Sequence, residues 1–181
     1  MRPQQLSRRV GYSLRRLSAS DAAELAPLND AASPAVPVTP MNDLARLIAI
    51  AELALGIERE GALVGFVIAI AAGADYDSEN YRYFEARAVD HLYVDRIVIA
   101  ESERGAGLGV VLYDAVFDQA RQRGRHEVTC EVNLDPPNPG SQAFHSRLGF
   151  VEVGTQRTKG GSVTVSLLAA PITADTLDDG P

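Results

Sequence analysis

One cysteine and three histidines are all that the 181 residues offer of the usual metal-binding and redox side chains. The lone Cys130 excludes an internal disulfide and a CxxC site, and His91, His126 and His145 are too scattered to form a metal-ligand cluster. No run of about 18 apolar residues occurs, which excludes an ordinary transmembrane helix. The longest apolar stretch, around Leu63–Ala72, is interrupted by Gly65. Positive charge is scarce as well: the formal net charge is −7. Proteins that coat nucleic-acid phosphates are usually basic, so neither a nucleic acid nor a membrane is expected as partner. Lysine occurs once, at Lys159, beside sixteen arginines, a skew that looks like genome composition bias. The segment from Met1 to Arg16 is arginine-rich but has no apolar centre, so it does not read as a secretory signal. A reducing, cytoplasmic setting is the expectation.

What is present suffices for a core. Apolar residues make up 46% and charged residues 23%, which excludes global disorder and fits one domain. Residues 1–9 read as a flexible arm, 10–170 as the folded domain and 171–181 as an acidic tail. Val10–Leu17 reads as a strand. Ser18 or Ser20 before Asp21-Ala22-Ala23-Glu24 reads as a capped helix start. Ser33–Pro40 is a loop punctuated by prolines, and a short helix follows from Asn42 to about Ile50. Leu53–Glu60 and Leu63–Ala72 pattern as a hairpin. Ala74–Asp90 reads as irregular, polar and aromatic. His91–Ala100 is a buried strand, Gly107–Arg123 carries the stripe of an amphipathic helix, and His126–Leu134 is another strand. Ser141–Leu148 is a short helix, and Phe150–Arg157 with Ser162–Ala169 closes the domain as a hairpin. The order implies an α/β (mixed α+β) single domain, with crossover helices wherever neighbouring strands run parallel.

Arg104-Gly105-Ala106-Gly107-Leu108-Gly109 lies between a strong strand and a strong helix. Small residues there let backbone N–H groups converge on an anion, and the helix dipole adds about half a positive charge. The loop therefore suits phosphate. It is not a P-loop, because no lysine follows, and its GxGxG spacing departs from the dinucleotide GxGxxG, although Glu127 lies about 20 residues on. Glycines serving only a tight turn are the remaining reading.

At this point the sequence resembles the GNAT superfamily of acyl-CoA-dependent N-acyltransferases. Arg104 to Gly109 matches that family's R/Q-x-x-G-x-G/A loop. Asn138-Pro139-Gly140-Ser141-Gln142-Ala143-Phe144-His145-Ser146-Arg147-Leu148-Gly149-Phe150 is similar to its N-x-x-A-x-x-L-Y-x-x-L-G-F. The two motifs stand in the family's order with a strand between them. The resemblance implies a twisted mixed sheet, splayed between the fourth and fifth strands, with helices on both faces. It implies acetyl-CoA as cosubstrate, with pantetheine along Ile97, Val98 and Ile99 and pyrophosphate on Arg104, Gly105, Ala106, Gly107, Leu108 and Gly109. Asn138 and Ser141 would meet the pantetheine arm; Asn138 before Pro139 is equally a natural helix cap.

Acyl transfer to an amine needs a base, a stabilised oxyanion and a proton for the departing thiolate. By resemblance Glu131 aligns with the base of ribosomal-protein N-terminal acetyltransferases, with Asp95 as competitor. His145 stands where the family has its tyrosine acid. The bland alternatives are a solvated Glu131, an Asp95 paired with Arg96 or Arg104, and a His145 that only bonds within its helix. Tyr76, Asn80, Tyr81, Phe84 and Tyr93 would border the acceptor pocket as a lid, or else cover a sheet edge or a dimer face. No metal is called for. The expected activity is direct transfer of acetyl to a primary amine of unidentified structure. The alternative is a non-catalytic acyl-CoA-binding regulatory module. A homodimer is compatible with either.

Overall fold

The computed structural model describes residues 11–173; the expected arm at 1–9 and most of the expected tail lie outside the described residues. The chain runs β1 (Tyr12–Arg16), α1 (Ala22–Asp30), α2 (Met41–Ile50), β2 (Leu53–Arg59), β3 (Ala62–Ala71), α3 (Glu79–Ala86) and β4 (His91–Ile99). It continues with α4 (Leu108–Gln122), β5 (Glu127–Asp135), α5 (Pro139–Arg147), β6 (Val151–Thr158) and β7 (Val163–Pro171). The strands form one sheet in the order β1-β2-β3-β4-β5-β7-β6. Every neighbouring pair is antiparallel except β4 and β5, which α4 connects in parallel. This is the expected mixed fold.

Local chemistry sets the turns. Ser18 donates its N–H to the Asp21 carboxylate (2.6 Å), half of a capping box that starts the turn into α1. Glu60 and Gly61 both sit at positive φ, so β2 and β3 meet in a two-residue hairpin whose twist matches the strands. On β3, Phe66, Ile68 and Ile70 face α1–α3 while Val67 and Ala69 face α4. Both faces are covered, which explains the unbroken apolar run.

The stretch Ala74–Asp90 is not irregular throughout. Ser78 Oγ accepts from the Tyr81 N–H (3.4 Å) and opens α3, whose Tyr81 and Phe84 are buried one turn apart. The helix went unread because its apolar residues are few and its exposed face is strongly polar.

One irregularity positions the site. On β4, Val94 pairs with Ala69 and Arg96 with Ile68, so Asp95 is an extra residue in a β-bulge. Before it, Leu92 and Val94 face α4; after it, Ile97 and Ile99 do. Beyond Tyr93, β4 also parts from β5: the parallel pairing spans only His91–Tyr93 against Glu127–Thr129. Bulge and splay together open a wedge at the sheet centre.

Candidate active site

The wedge holds a cleft and a cavity. The cleft, of about 590 Å³, lies between β4, the Arg104–Gly109 loop, α4 and α5. Gly105 (φ 81°) and Gly107 (φ 75°) take left-handed backbone that other residues adopt at a cost. Gly107 caps α4 without a side chain, so the first-turn amides of α4 are uncovered. At Gly109 a Cβ would come within 3.1 Å of the Phe144 ring, so this glycine lets α5 approach α4. Just before the loop, Glu103 accepts from Tyr12 Oη (2.5 Å) and Arg59 Nη1 (2.9 Å), which ties the loop base to β1 and β2. Of the residues assigned to the cosubstrate, Ile97, Val98, Ile99, Arg104, Gly105, Gly107, Leu108, Gly109, Asn138 and Ser141 line the cleft. Ala106 does not; it packs against the core under α4. Asn138 Oδ1 caps α5 by accepting from the Ser141 N–H (3.2 Å), as its capping reading has it, and the residue also lines the cleft.

The cavity, of about 270 Å³, continues on the other side of β4 and is lined by Asp95, Arg96 and Glu131 among others. Glu131 Oε2 accepts from Tyr93 Oη (2.7 Å). Burial, reinforced by the negative charge of Asp95, pushes the Glu131 carboxyl up to about 7. Asp95 is held differently: it accepts from Tyr76 Oη on one oxygen and from Arg96 Nε (2.7 Å) on the other. The two carboxylates thus part company, one paired with a guanidinium and one poised to titrate near neutrality. Burial, with Asp95 adding to it, raises the Tyr76 hydroxyl pKa, so this group stays protonated.

Tyr76 and Asn80 line the cavity, and Tyr93 reaches the site only through its hydroxyl. Tyr81 and Phe84 correct the expectation of a lid. They are fully buried in the core behind the cavity, in ring contact with Tyr93 and His91. They are the large apolar anchors of a short helix that buries one face.

Cleft and cavity meet. Ala35, Val36, Ile97, Asn138, Ser141 and His145 line both. His145 is buried there, with Nδ1 on Ser141 O (2.8 Å) and Nε2 on Tyr113 Oη (2.6 Å). A carbonyl oxygen only accepts, so Nδ1 carries the proton and Nε2 accepts from the tyrosine hydroxyl. Burial lowers the His145 pKa, which keeps the ring neutral. The expected thiolate acid therefore has no free proton to give, and its bonds pin α5 to α4. Cys130 also lines the cavity, but burial raises its thiol pKa far above the working range.

Three participants escaped the sequence reading. Tyr113 lies one residue off the stripe read for its helix, though its spacing to Val116 and Ala120 places it on the buried face. Arg96 had been considered only as a partner for Asp95; it also bonds Asn29 Oδ1 (2.8 Å) and Thr39 Oγ1 (3.0 Å). The Ser33–Pro40 loop, read only as a helix breaker, supplies Pro34, Ala35, Val36 and Pro37 to the cavity wall.

With this geometry in view, the likenesses to known proteins are informative. The sequence model described as Acetyltransferase (GNAT) family matches residues 23–150. No curated protein matches the chain. Among solved structures, the ribosomal-protein-S18-alanine N-acetyltransferase from Escherichia coli superposes with a TM-score of 0.69 at 18% identity, over 92% of this chain and 97% of its own. Ard1 from Thermoplasma volcanium reaches 0.73 at 17% identity, over 91% and 100%. The yncA protein of Salmonella typhimurium, solved with its cofactor acetyl-CoA, reaches 0.67 at 17%, over 94% and 99%. At these identities the superpositions speak for the fold.

Proposed function

The chain belongs to the GNAT family of acetyltransferases, and on that premise we propose that it transfers the acetyl group of acetyl-CoA directly to a primary amine, with Glu131 as base. The observation that carries the reading is the junction: a phosphate-suited cleft and a carboxylate-bearing cavity open onto each other at Ile97, Asn138 and Ser141. The cleft residues fit the cosubstrate. The amides of the Arg104–Gly109 loop suit the pyrophosphate, and the edge of β4 that β5 leaves unpaired suits the pantetheine amides, as an added strand would.

The acceptor enters as an ammonium ion. Glu131, near pKa 7, is ionised at mildly alkaline pH and takes its proton, directly or through water. The freed nitrogen attacks the thioester carbon, a C–N bond forms and the carbonyl electrons move to oxygen, where a β4 amide near Ile97 stabilises them. Collapse re-forms the carbonyl and breaks C–S, and the proton still on the nitrogen then passes to the departed thiolate, giving the neutral amide and the free CoA thiol. A thiol pKa of about 8.5 lets sulfur depart as thiolate, and the Ser141 hydroxyl at the junction can hydrogen-bond it. Tyr93 and Asn80 hold the Glu131 carboxylate throughout.

Glu131→Gln tests the reading. kcat/KM with an amine panel is expected to fall about 10²- to 10⁴-fold, while acetyl-CoA affinity by calorimetry stays within threefold of wild type on the order of normal error. The wild-type profile of kcat/KM should rise with pH through about 7. Tight CoA binding with no turnover of any amine would sink the proposal.

A further inference from the structure

The charges around the acceptor cavity balance in a way that narrows the acceptor. Four charged side chains of the inner wall and rim matter besides Glu131: Asp95, Arg96, Glu79 and Lys159 all line the cavity. Asp95 and Arg96 are an ion pair at 2.7 Å whose side chains are each 6% exposed, so their charges cancel inside the wall. Glu79 and Lys159 are exposed at the rim and bring one charge of each sign; the Glu79 carboxylate also accepts from the Lys159 backbone N–H (3.0 Å). Glu131 is left as the one uncompensated inner charge.

The same guanidinium fixes the size of the space. Arg96 Nη1 donates to Asn29, which is fully buried at the end of α1, and to Thr39 in the loop before α2. Asn29 in turn donates to Pro37 O (3.0 Å). The loop that carries Pro34, Ala35, Val36 and Pro37 is thereby latched to the β4 bulge, and the cavity is held at about 270 Å³. Drug-sized ligands occupy about 300–1,000 Å³.

We propose that Arg96 sets the acceptor class: it restricts the enzyme to compact amines carrying one positive charge. This rests on the reading of the cavity as the acceptor site. A second ammonium would have to leave water with no free carboxylate on the inner wall to meet it, which is costly, while an apolar body has Val36, Val163 and Val165 to contact. Arg96 acts as a positioning residue, through Asp95 and through the loop.

The test compares n-butylamine with 1,4-diaminobutane, equal in length and different by one charge. Wild type is expected to favour the monoamine by about tenfold or more in kcat/KM. Arg96→Gln bares Asp95, so the preference should collapse or reverse as the diamine gains, with CoA affinity unchanged. Thr39→Val loosens only the latch; it should raise the rate with n-octylamine relative to n-butylamine, and it serves where Arg96→Gln fails to fold. Calorimetry of both amines with CoA-loaded protein gives the same comparison independently of turnover. Binding of n-butylamine without turnover would overturn the catalytic reading and leave the charge rule standing. Equal or tighter use of the diamine by wild type, or an unchanged ratio in Arg96→Gln, would overturn the inference itself.

Discussion

The cleft that suits the cosubstrate draws on backbone from one short loop, Arg104–Gly109, with α5 closing its far side. The cavity proposed for the acceptor draws on side chains from the Ser33–Pro40 loop, α3, β4, β5 and the turn between β6 and β7. Its walls join residues far apart in the chain: Gln156 bonds Asn80 across 76 positions, and the Glu79 carboxylate takes the Lys159 N–H across 80. A site made of amides needs the right conformation and tolerates many side chains. A site made of side chains changes its preference whenever one of several distant positions changes. This difference explains how one family can keep its donor and vary its acceptor.

Gly107→Asp should break the comparison hardest on the cleft side. At about 4 Å and an effective dielectric near 20, a carboxylate beside a phosphate costs about 4 kcal/mol per charge pair, roughly a thousandfold in Kd. Calorimetry with CoA checks this, and unchanged affinity in a folded protein would end the phosphate assignment. Next in size, Phe84→Ala should remove about 3 kcal/mol or more of stability in a urea melt, with no selective rise in the acceptor KM. A rise in KM at full stability would return Phe84 to the cavity wall. Gly154→Val is a smaller break, because the added Cβ would stand 2.1 Å from Tyr83 Oη, whose hydroxyl bonds Val153 O. Overpacking of this kind costs about 1–3 kcal/mol. The double variant with Tyr83→Ala should recover most of it, and the absence of recovery would detach α3 from β6 as the cause.

The smallest expected effect concerns Glu131. Its folded pKa of about 7 lies above the ordinary carboxylate value, so the folded state holds a proton that the unfolded chain releases. The group therefore weakens folding increasingly as pH rises toward and through 7. Glu131→Gln should raise Tm at pH 8.5, by about 2–4 °C per kcal/mol recovered, and lose that gain at pH 4, where both states of the wild type are protonated. A Tm gain independent of pH would mean that the carboxylate is not buried as described.

The same division governs what could be read from the sequence. The Arg104–Gly109 loop was legible because its glycines encode local backbone geometry, two of them at positive φ beside a helix start. Asn138-Pro139 was legible as a helix start for the same reason. Glu131 and Asp95 were named as carboxylates near the wedge, but which of them pairs with Arg96 follows from the bulge at Asp95. A bulge adds one residue to one strand, and because β4 carries apolar residues on both faces the alternation does not mark it. Tyr81 and Phe84 were misplaced because an aromatic in a polar segment has the same pattern whether it faces a pocket or a core. Ser78, followed by Tyr81 and Phe84 at helical spacing, was the available signal for α3.

Ala35 and Val36 form one wall with two sides, facing the cleft and the cavity at once. Whatever displacement one ligand imposes on that wall is felt by the other as a change in affinity. Linkage makes the change mutual: if acetyl-CoA tightens amine binding by some factor, the amine tightens acetyl-CoA binding by the same factor. On the proposed function the loop would be a thermodynamic messenger between two substrates that touch only at their reacting atoms. On the same reading, a product still in the cavity would loosen or retain the spent coenzyme through these two residues.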